Sequence, residues 1–307
     1  MNKIREDISQ WPIEKRAKKL QEIFLQRMGY PLDLRNPKSF SEMQQWCKLY
    51  YHDPRITQCV DKMTFKEYVR SILGGDKWTA KLYKVWHRPE DVSLEDFPEQ
   101  FVIKSNCSSD GHNLVVVTDK RKRNLLALEA EIKNGWFDRL ALHTNSFASY
   151  YYPVQPAVLA EEYLPASNEM QNEYKIMCFH GEPYCVTVPG YVWRDGQKDK
   201  FVSCSFYTLE WKCLPVRYGH KDYCAGLPRP KRLPEMLEIC SKLSSDFPCV
   251  RVDFMEAKEK LYLTELSFGQ GGGWETYEPQ EFDFELGKKM DIKRWANPIY
   301  IDSAAPV

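Results

Sequence analysis

The chain has no surplus of charge of either sign: 43 Lys and Arg stand against 43 Asp and Glu in 307 residues. Without a global basic field it has no general hold on a polyphosphate backbone, which argues against nucleic-acid binding and leaves only local patches. The N-terminus, MNKIREDISQWPIEKRAKKL, lacks the apolar stretch of a secretory signal. The longest uncharged run, residues 140–160, contains His143, Asn145 and two prolines, so no integral membrane segment is expected. The ten cysteines include no Cys-x-x-Cys or Cys-x-x-His pair, which argues against a structural zinc site. With no export signal they read as reduced, buried thiols of a cytoplasmic protein. No internal repeat or low-complexity tract is present.

What is present is an ordinary globular composition, 28% charged and 43% hydrophobic, long enough for two domains or one large one. Ile13, Ala17, Leu20 and Phe24 recur at helical spacing, and that helix should end near Gly29. Ser39 or Ser41 can cap a second helix carrying Met43, Trp46, Cys47 and Tyr50. A third is expected over 61–73. From about residue 80 the pattern turns to strands: 101–104 and 114–117 as a hairpin, then 158–163, 173–179, 184–188 and 201–206. Helices are expected over 122–134 and from Pro234. The alternation predicts an α+β protein with antiparallel hairpins.

The last hairpin, 249–255 with 261–268, holds the most informative residues. Side chains alternate faces along a strand, so Arg251 and Asp253 share one face. On the partner strand Leu261, Leu263, Glu265 and Ser267 are expected to lie together. A turn symmetric about residue 259 sets Asp253 against Glu265 and Arg251 against Ser267. Opposed carboxylates repel, and a hard divalent cation with oxygen ligands would relieve the repulsion. The competing reading pairs one carboxylate with Arg251 or lets both simply face water. A second feature is Lys104, leaving the apolar strand Phe101-Val102-Ile103 for a polar turn that could present backbone N–H groups to phosphate. Taken on its own, that segment is better explained as an ordinary polar hairpin turn, since it holds only one glycine. Lys120-Arg121-Lys122-Arg123 reads as a solvated basic run. Arg217 and Lys221 are open candidates for an anionic acceptor.

Taken in order, SFSEMQQWCKLYYHDPRITQCVDKMTFKEYV, FPEQFVIKSN, AEEYL, YKIMCFHGEP, FPCVRVDF and LYLTELSF resemble the TupA-like proteins of the ATP-grasp superfamily over about 37–290. The resemblance implies an α+β ATP-grasp fold, with an N-terminal helical segment and two α+β lobes enclosing the nucleotide. It divides the chain into a helical region (1–60), a small lobe (61–160), a large lobe with the metal site (161–292) and a tail (293–307). It implies ATP and Mg²⁺ as cofactors. Lys62, Lys104 and Lys175 would reach phosphates, and Ser108, Ser109, Gly111, His112 and Asn113 would belong to the phosphate-covering turn. Glu161, Glu162, Tyr163 and Leu164 would form the adenine hinge, with main-chain bonds at Glu162 and Leu164, and Glu169 would meet the ribose. Asp253 and Glu265 would hold Mg²⁺, with Ser267 where many members have Asn, and Arg251 would stabilise the transferring phosphoryl group. The turn departs from the family pattern, losing two glycines and gaining Asp110. The run Gly269-Gln270-Gly271-Gly272-Gly273-Trp274 is unusually glycine-rich, and fits the shaping of an acceptor site.

The implied activity is a carboxylate–amine ligase acting through an acyl phosphate in cell-envelope or capsule polysaccharide biosynthesis. Its partners would be a small-molecule, glycan or peptide carboxylate, such as a uronic acid, and an amine. Two alternatives stay open: phosphorylation of a sugar or hydroxyl, and a non-catalytic nucleotide-binding partner of glycan biosynthesis. No residue selects the substrate or the oligomeric state.

Overall fold

The computed structural model describes residues 7–106, 113–138, 147–165, 173–194, 197–295 and 297–306. Helix α1 (Ile13–Met28) buries Leu20 and Phe24 and ends at Gly29, whose φ of 80° a glycine adopts without strain. Helix α2 (Phe40–Tyr50) begins with a capping box. The Ser39 hydroxyl accepts from the Glu42 amide at 3.1 Å, and the Glu42 carboxylate accepts from the Ser39 amide at 3.0 Å. Ser39 is therefore the cap. The amide and hydroxyl of Ser41 donate instead to Asp283, at 3.0 and 3.1 Å.

The helix expected over 61–73 begins only at Thr64, and a separate, unexpected helix precedes it. Helix α3 (Pro54–Val60) is capped by Asp53 and followed by a break at Asp61. Asp61 accepts from the Met63 amide at 2.8 Å, and helix α4 (Thr64–Leu73) starts after it. An aspartate that bonds local amides offers the backbone an alternative to continuing the helix. Helix α5 (Leu125–Gly135) likewise starts later than expected, because Asn124 caps it by accepting from the Ala127 amide at 3.0 Å. The basic run 120–122 is a 3-10 turn before it.

Strands β1 (Leu82–Trp86), β2 (Phe101–Ser105), β3 (Leu114–Val117) and β4 (Val158–Glu162) form a sheet in the order β1-β4-β2-β3. Phe101, Ile103, Val158 and Ala160 face α5 across a separate small core. Lys104 and Glu161 are therefore on the opposite face. A larger sheet runs β11-β10-β5-β6-β7-β8. Its strands are β5 (Glu173–Phe179), β6 (Glu182–Arg194), β7 (Gln197–Tyr207), β8 (Cys213–Leu214), β10 (Val250–Ala257) and β11 (Lys260–Ser267). Helix α6 (Leu233–Ser244) packs on β5, β6 and β10 and buries Met236, Cys240 and Leu243. Strands β9 (Arg217–Tyr218) and β12 (Tyr277–Glu278) pair separately. Helix α7 (Glu281–Met290) packs on α2, and the short helix α8 (Ile292–Trp295) follows. The nine described cysteines are free, and seven are buried. No helix among the described residues is long and apolar enough to cross a membrane.

Asp283, on α7, is buried beneath α2, and burial pushes its carboxyl up to about 6 against the bonds it accepts from Ser41. A folded pKa above the unfolded value favours the protonated fold, so this contribution is complete in acid and lost as pH rises through about 6. Asp283→Asn is expected to gain about 1 kcal/mol on wild type between pH 5 and pH 7 in urea unfolding. Parallel stability curves would contradict the assignment.

Candidate functional site

The β10–β11 hairpin turns through Lys258 and Glu259, both at positive φ (49° and 59°), with Ala257 paired to Lys260. A simple continuation of that register would set Thr264 against Asp253. Instead Phe254 pairs with Leu263 and Asp253 with Glu265, leaving Thr264 as the extra residue of a bulge. Its hydroxyl donates to the Asp253 carbonyl at 3.2 Å. The bulge delivers the expected pairs, Asp253 with Glu265 and Arg251 with Ser267. It also corrects the expected face of β11. Leu261 and Leu263 join Leu266 in the core, while Glu265 and Ser267 share the face of Asp253.

Lys175 on β5 pairs with Asp253 from the other side, so Lys175, Asp253 and Glu265 form one row across three strands. Arg251 and Ser267 stand in the next row. Asp253 is buried. Arg251 grips it with Nε on Oδ1 at 2.6 Å and Nη2 on Oδ2 at 2.7 Å, and Lys175 Nζ reaches Oδ2 at 2.6 Å. Arg251 Nη2 also donates to the Ser267 hydroxyl at 3.0 Å. Burial raises the Asp253 pKa, but Arg251 and Lys175 outweigh it and hold the carboxyl below its ordinary value. Burial opposes the Arg251 charge too, and Asp253 and Glu265 more than restore it.

The competing pairing of Asp253 with Arg251 is thus what the residues adopt, and it does not use up the donor set. Among the described residues Asp253 Oδ1 accepts one bond only. Glu265 has no hydrogen bond or ion pair among the described residues. Asp253, Glu265 and Ser267 offer only oxygen, which suits a hard cation. No group of three His, Cys, Asp or Glu able to hold a metal occurs among the described residues. Mg²⁺ fits that limit, since it is usually bound by one or two carboxylates together with substrate phosphates.

A second cluster lies on the small sheet. Val102 pairs with Glu161, so Lys104, two residues on, is a diagonal neighbour on the same face. Lys104 Nζ reaches Glu161 Oε2 at 2.7 Å, and Lys66 from α4 reaches Oε1 at 3.1 Å. Burial raises the Glu161 pKa, and the two lysines overcome it and lower the net value. Lys66 escaped the sequence reading, which chose Lys62 from the same segment. The helix break accounts for both. Lys62 falls in the break, where its amide donates to the Asn106 carbonyl at 2.8 Å, while Lys66 lies on α4. The Glu162 carboxylate pairs with Lys258 at 2.6 Å, and its amide donates to the Lys81 carbonyl at 2.8 Å, which takes that amide out of reach of a base. Lys258 thereby ties the turn of the carboxylate hairpin to the strand bearing Glu161. Tyr163 and Leu164 follow β4, half-buried. Asn113 precedes β3 at φ 50°. Ser108, Ser109, Gly111, His112 and Glu169 lie outside the described residues.

A model of the TupA-like ATPgrasp family matches residues 42–291. The chain belongs to that family. The ATP-grasp fold expected from the ordered motifs is therefore confirmed. Solved structures similar to this TupA-like chain include L-amino acid ligase from Bacillus licheniformis, at 12% identity, covering 92% of this chain and 61% of that one, with a TM-score of 0.46. D-alanine–D-alanine ligase from Helicobacter pylori matches at 15% identity over 82% of this chain and 65% of its own, with a TM-score of 0.44. The enzyme of that name from Bacillus anthracis matches at 15%, over 68% and 57%, with a TM-score of 0.40. The TupA-like chain spans less than two thirds of the length of each. No protein of curated function matches it.

Proposed function

We propose that this TupA-like protein is an ATP- and Mg²⁺-dependent carboxylate–amine ligase. The observation that carries the reading is the row Lys175–Asp253–Glu265 with Arg251 beside it, in a chain of an ATP-grasp family. Its two lobes take the nucleotide between them, with the division near residue 160 and the helical region before residue 61. Lys62, Lys104 and Lys175 bind phosphate oxygens, residues 108–113 cover them, residues 161–164 receive adenine, and Glu169 meets the ribose. Asp253, Glu265 and Ser267 would hold Mg²⁺, which would supply charge neutralisation to the phosphates.

The acceptor's carboxylate oxygen attacks the γ-phosphorus, and ADP leaves. The amine nitrogen then attacks the acyl carbon. A C–N bond forms, the C–O bond to phosphate breaks, phosphate leaves, and the amine's protons pass to phosphate and solvent. Arg251 steadies charge on the transferring group. Asp253 sets the orientation of Arg251 through two parallel bonds, and keeps Lys175 in the same row. The acceptor in this reading is a uronic acid or acidic peptide of a cell-envelope polymer.

The test incubates the chain with ATP, Mg²⁺, uronates or acidic peptides, and amines, and reads ADP and product mass. The expected result is an amide with one ADP per bond, abolished by Glu265→Gln. A stable phosphorylated acceptor would instead mark a kinase. ATP binding without turnover over the whole panel would mark a non-catalytic partner.

A further inference from the structure

The turn after β9 and the segment before β12 carry a second pair of charges, Lys221 and Glu275. Tyr218-Gly219-His220-Lys221 makes a tight turn, with Gly219 and His220 at φ 57° and 59°, closed by the Lys221 amide on the Tyr218 carbonyl at 3.1 Å. The Gly219 amide donates to the Thr276 carbonyl at 2.9 Å, bringing the turn against the segment after the glycine run. A Cβ at Gly219 would overlap the Glu275 carboxylate and stand 3.1 Å from Lys221 Nζ. A Cβ at Gly271 would overlap both the Tyr218 hydroxyl and the Glu275 side chain. The two glycines thus leave room for Glu275, Lys221 and Tyr218 to converge.

Glu275 and Lys221 are half-buried, and neither side chain has a hydrogen-bond or ion-pair partner among the described residues. They do not pair with each other, although both reach Gly219. Lys221 Nζ lies 4.8 Å from the centre of the Phe201 ring. Both charges belong to the neighbourhood of the proposed reaction centre. The Cys204 thiol, pushed up to about 12 chiefly by burial, feels Arg251, Lys175, Lys221 and Glu275 together. Tyr218 adds to the field on Arg251.

The loop bearing Glu275 is held from the helical segment. Gln45 donates to the Gly272 and Gly273 carbonyls at 3.2 and 2.7 Å, and Lys48 donates to Gly272. Trp274 packs on Phe24 of α1, 6.3 Å between ring centres. An acid and a base held a few ångströms apart without bonding each other are both free to bond a ligand that carries the opposite charge at each end. A zwitterion does that, with an ammonium for the acid and a carboxylate for the base.

We propose that Glu275 and Lys221 form the amine-donor subsite and that the donor is a free α-amino acid, its ammonium on Glu275 and its carboxylate on Lys221. The proposal rests on the ligase reading and names the substrate class that this reading leaves open. A free amino acid is favoured over a simple amine, because an amine gives Lys221 nothing to bind.

The test is equilibrium binding to the full chain with Mg²⁺ and a non-hydrolysable ATP analogue. The probes are alanine, glutamate and glycine, with ethylamine and propionate as half-molecules of alanine. At least one amino acid is expected to bind, more tightly than either half-molecule. Glu275→Gln and Lys221→Met are each expected to weaken it roughly tenfold or more. Lys221→Met should leave ethylamine binding unchanged. Glu275→Asp, which keeps the charge, should fall between wild type and Glu275→Gln. Unaltered affinity for the ATP analogue shows that each variant is folded. No amino acid bound by wild type that binds the analogue, or equal binding in all variants, overturns the subsite. Binding needs no turnover, so a chain that binds an amino acid yet makes no amide fails the ligase reading alone.

Discussion

Replacing Arg251 by methionine is expected to lower turnover about a hundredfold to a thousandfold while ATP affinity changes little. Among the described residues Arg251 is the one cation that touches both Asp253 and Ser267. Its side chain is 17% exposed, so its charge acts where water screens it poorly. A group that meets charge developing on the transferring phosphoryl affects kcat, whereas a ground-state phosphate ligand would affect KM for ATP. Arg251→Lys keeps the charge and loses the paired bonds to Asp253, so an intermediate rate is expected. Removing the guanidinium also leaves Asp253 buried with Lys175 alone. A stability loss of about 3–5 kcal/mol should accompany the catalytic one and is measured separately by urea unfolding. Full kcat in folded Arg251→Met would remove Arg251 from the chemistry.

The second large effect concerns Lys48. This lysine of α2 is 2% exposed and makes no ion pair among the described residues. Its ammonium donates to Gln45 at 2.9 Å and to the Gly272 carbonyl, and lies 4.5 Å from the centre of the Trp274 ring. Burial, with Arg27 adding repulsion, brings its pKa down to about 7. A depressed folded pKa binds fewer protons than the unfolded chain, so the contribution is full above the unfolded value and falls away as pH drops towards 7. Wild type is therefore expected to gain about 2 kcal/mol on Lys48→Met between pH 7 and pH 9. Urea midpoints of the two proteins at both pH values check this. A constant difference would show that Lys48 stays charged in the fold.

Much of the chemistry was legible because it rests on alternation. Arg251 and Asp253 must share a face of any strand that contains both. The pairing of Asp253 with Glu265 was legible for a less secure reason. A centre at residue 259 gives the right partners, but the turn is centred between 258 and 259, and only the bulge at Thr264 restores the register. Nothing in Leu263-Thr264-Glu265 announces that bulge, so the faces of Leu261 and Leu263 came out reversed. Helix starts at Asn124 and after Asp61 were misplaced for a related reason, since a capping side chain decides between two local bonding schemes that the apolar spacing leaves equal.

By itself the sequence determined the ordered motifs of an ATP-grasp chain, the two-period alternation behind its carboxylate face, and a net charge of zero that leaves function to local placement. Tertiary structure decided which charges meet. Lys66 and Lys104 converge on Glu161 because α4 and two strands that are neighbours in the sheet but not consecutive in the chain bring them together. The Lys48 pKa falls because its side chain is buried, and Glu275 and Lys221 approach because Gly219 puts no Cβ between them. The physical reason is one of range. Alternation and capping act over a few residues and can be read along the chain, whereas desolvation and charge pairing depend on distances that only packing sets.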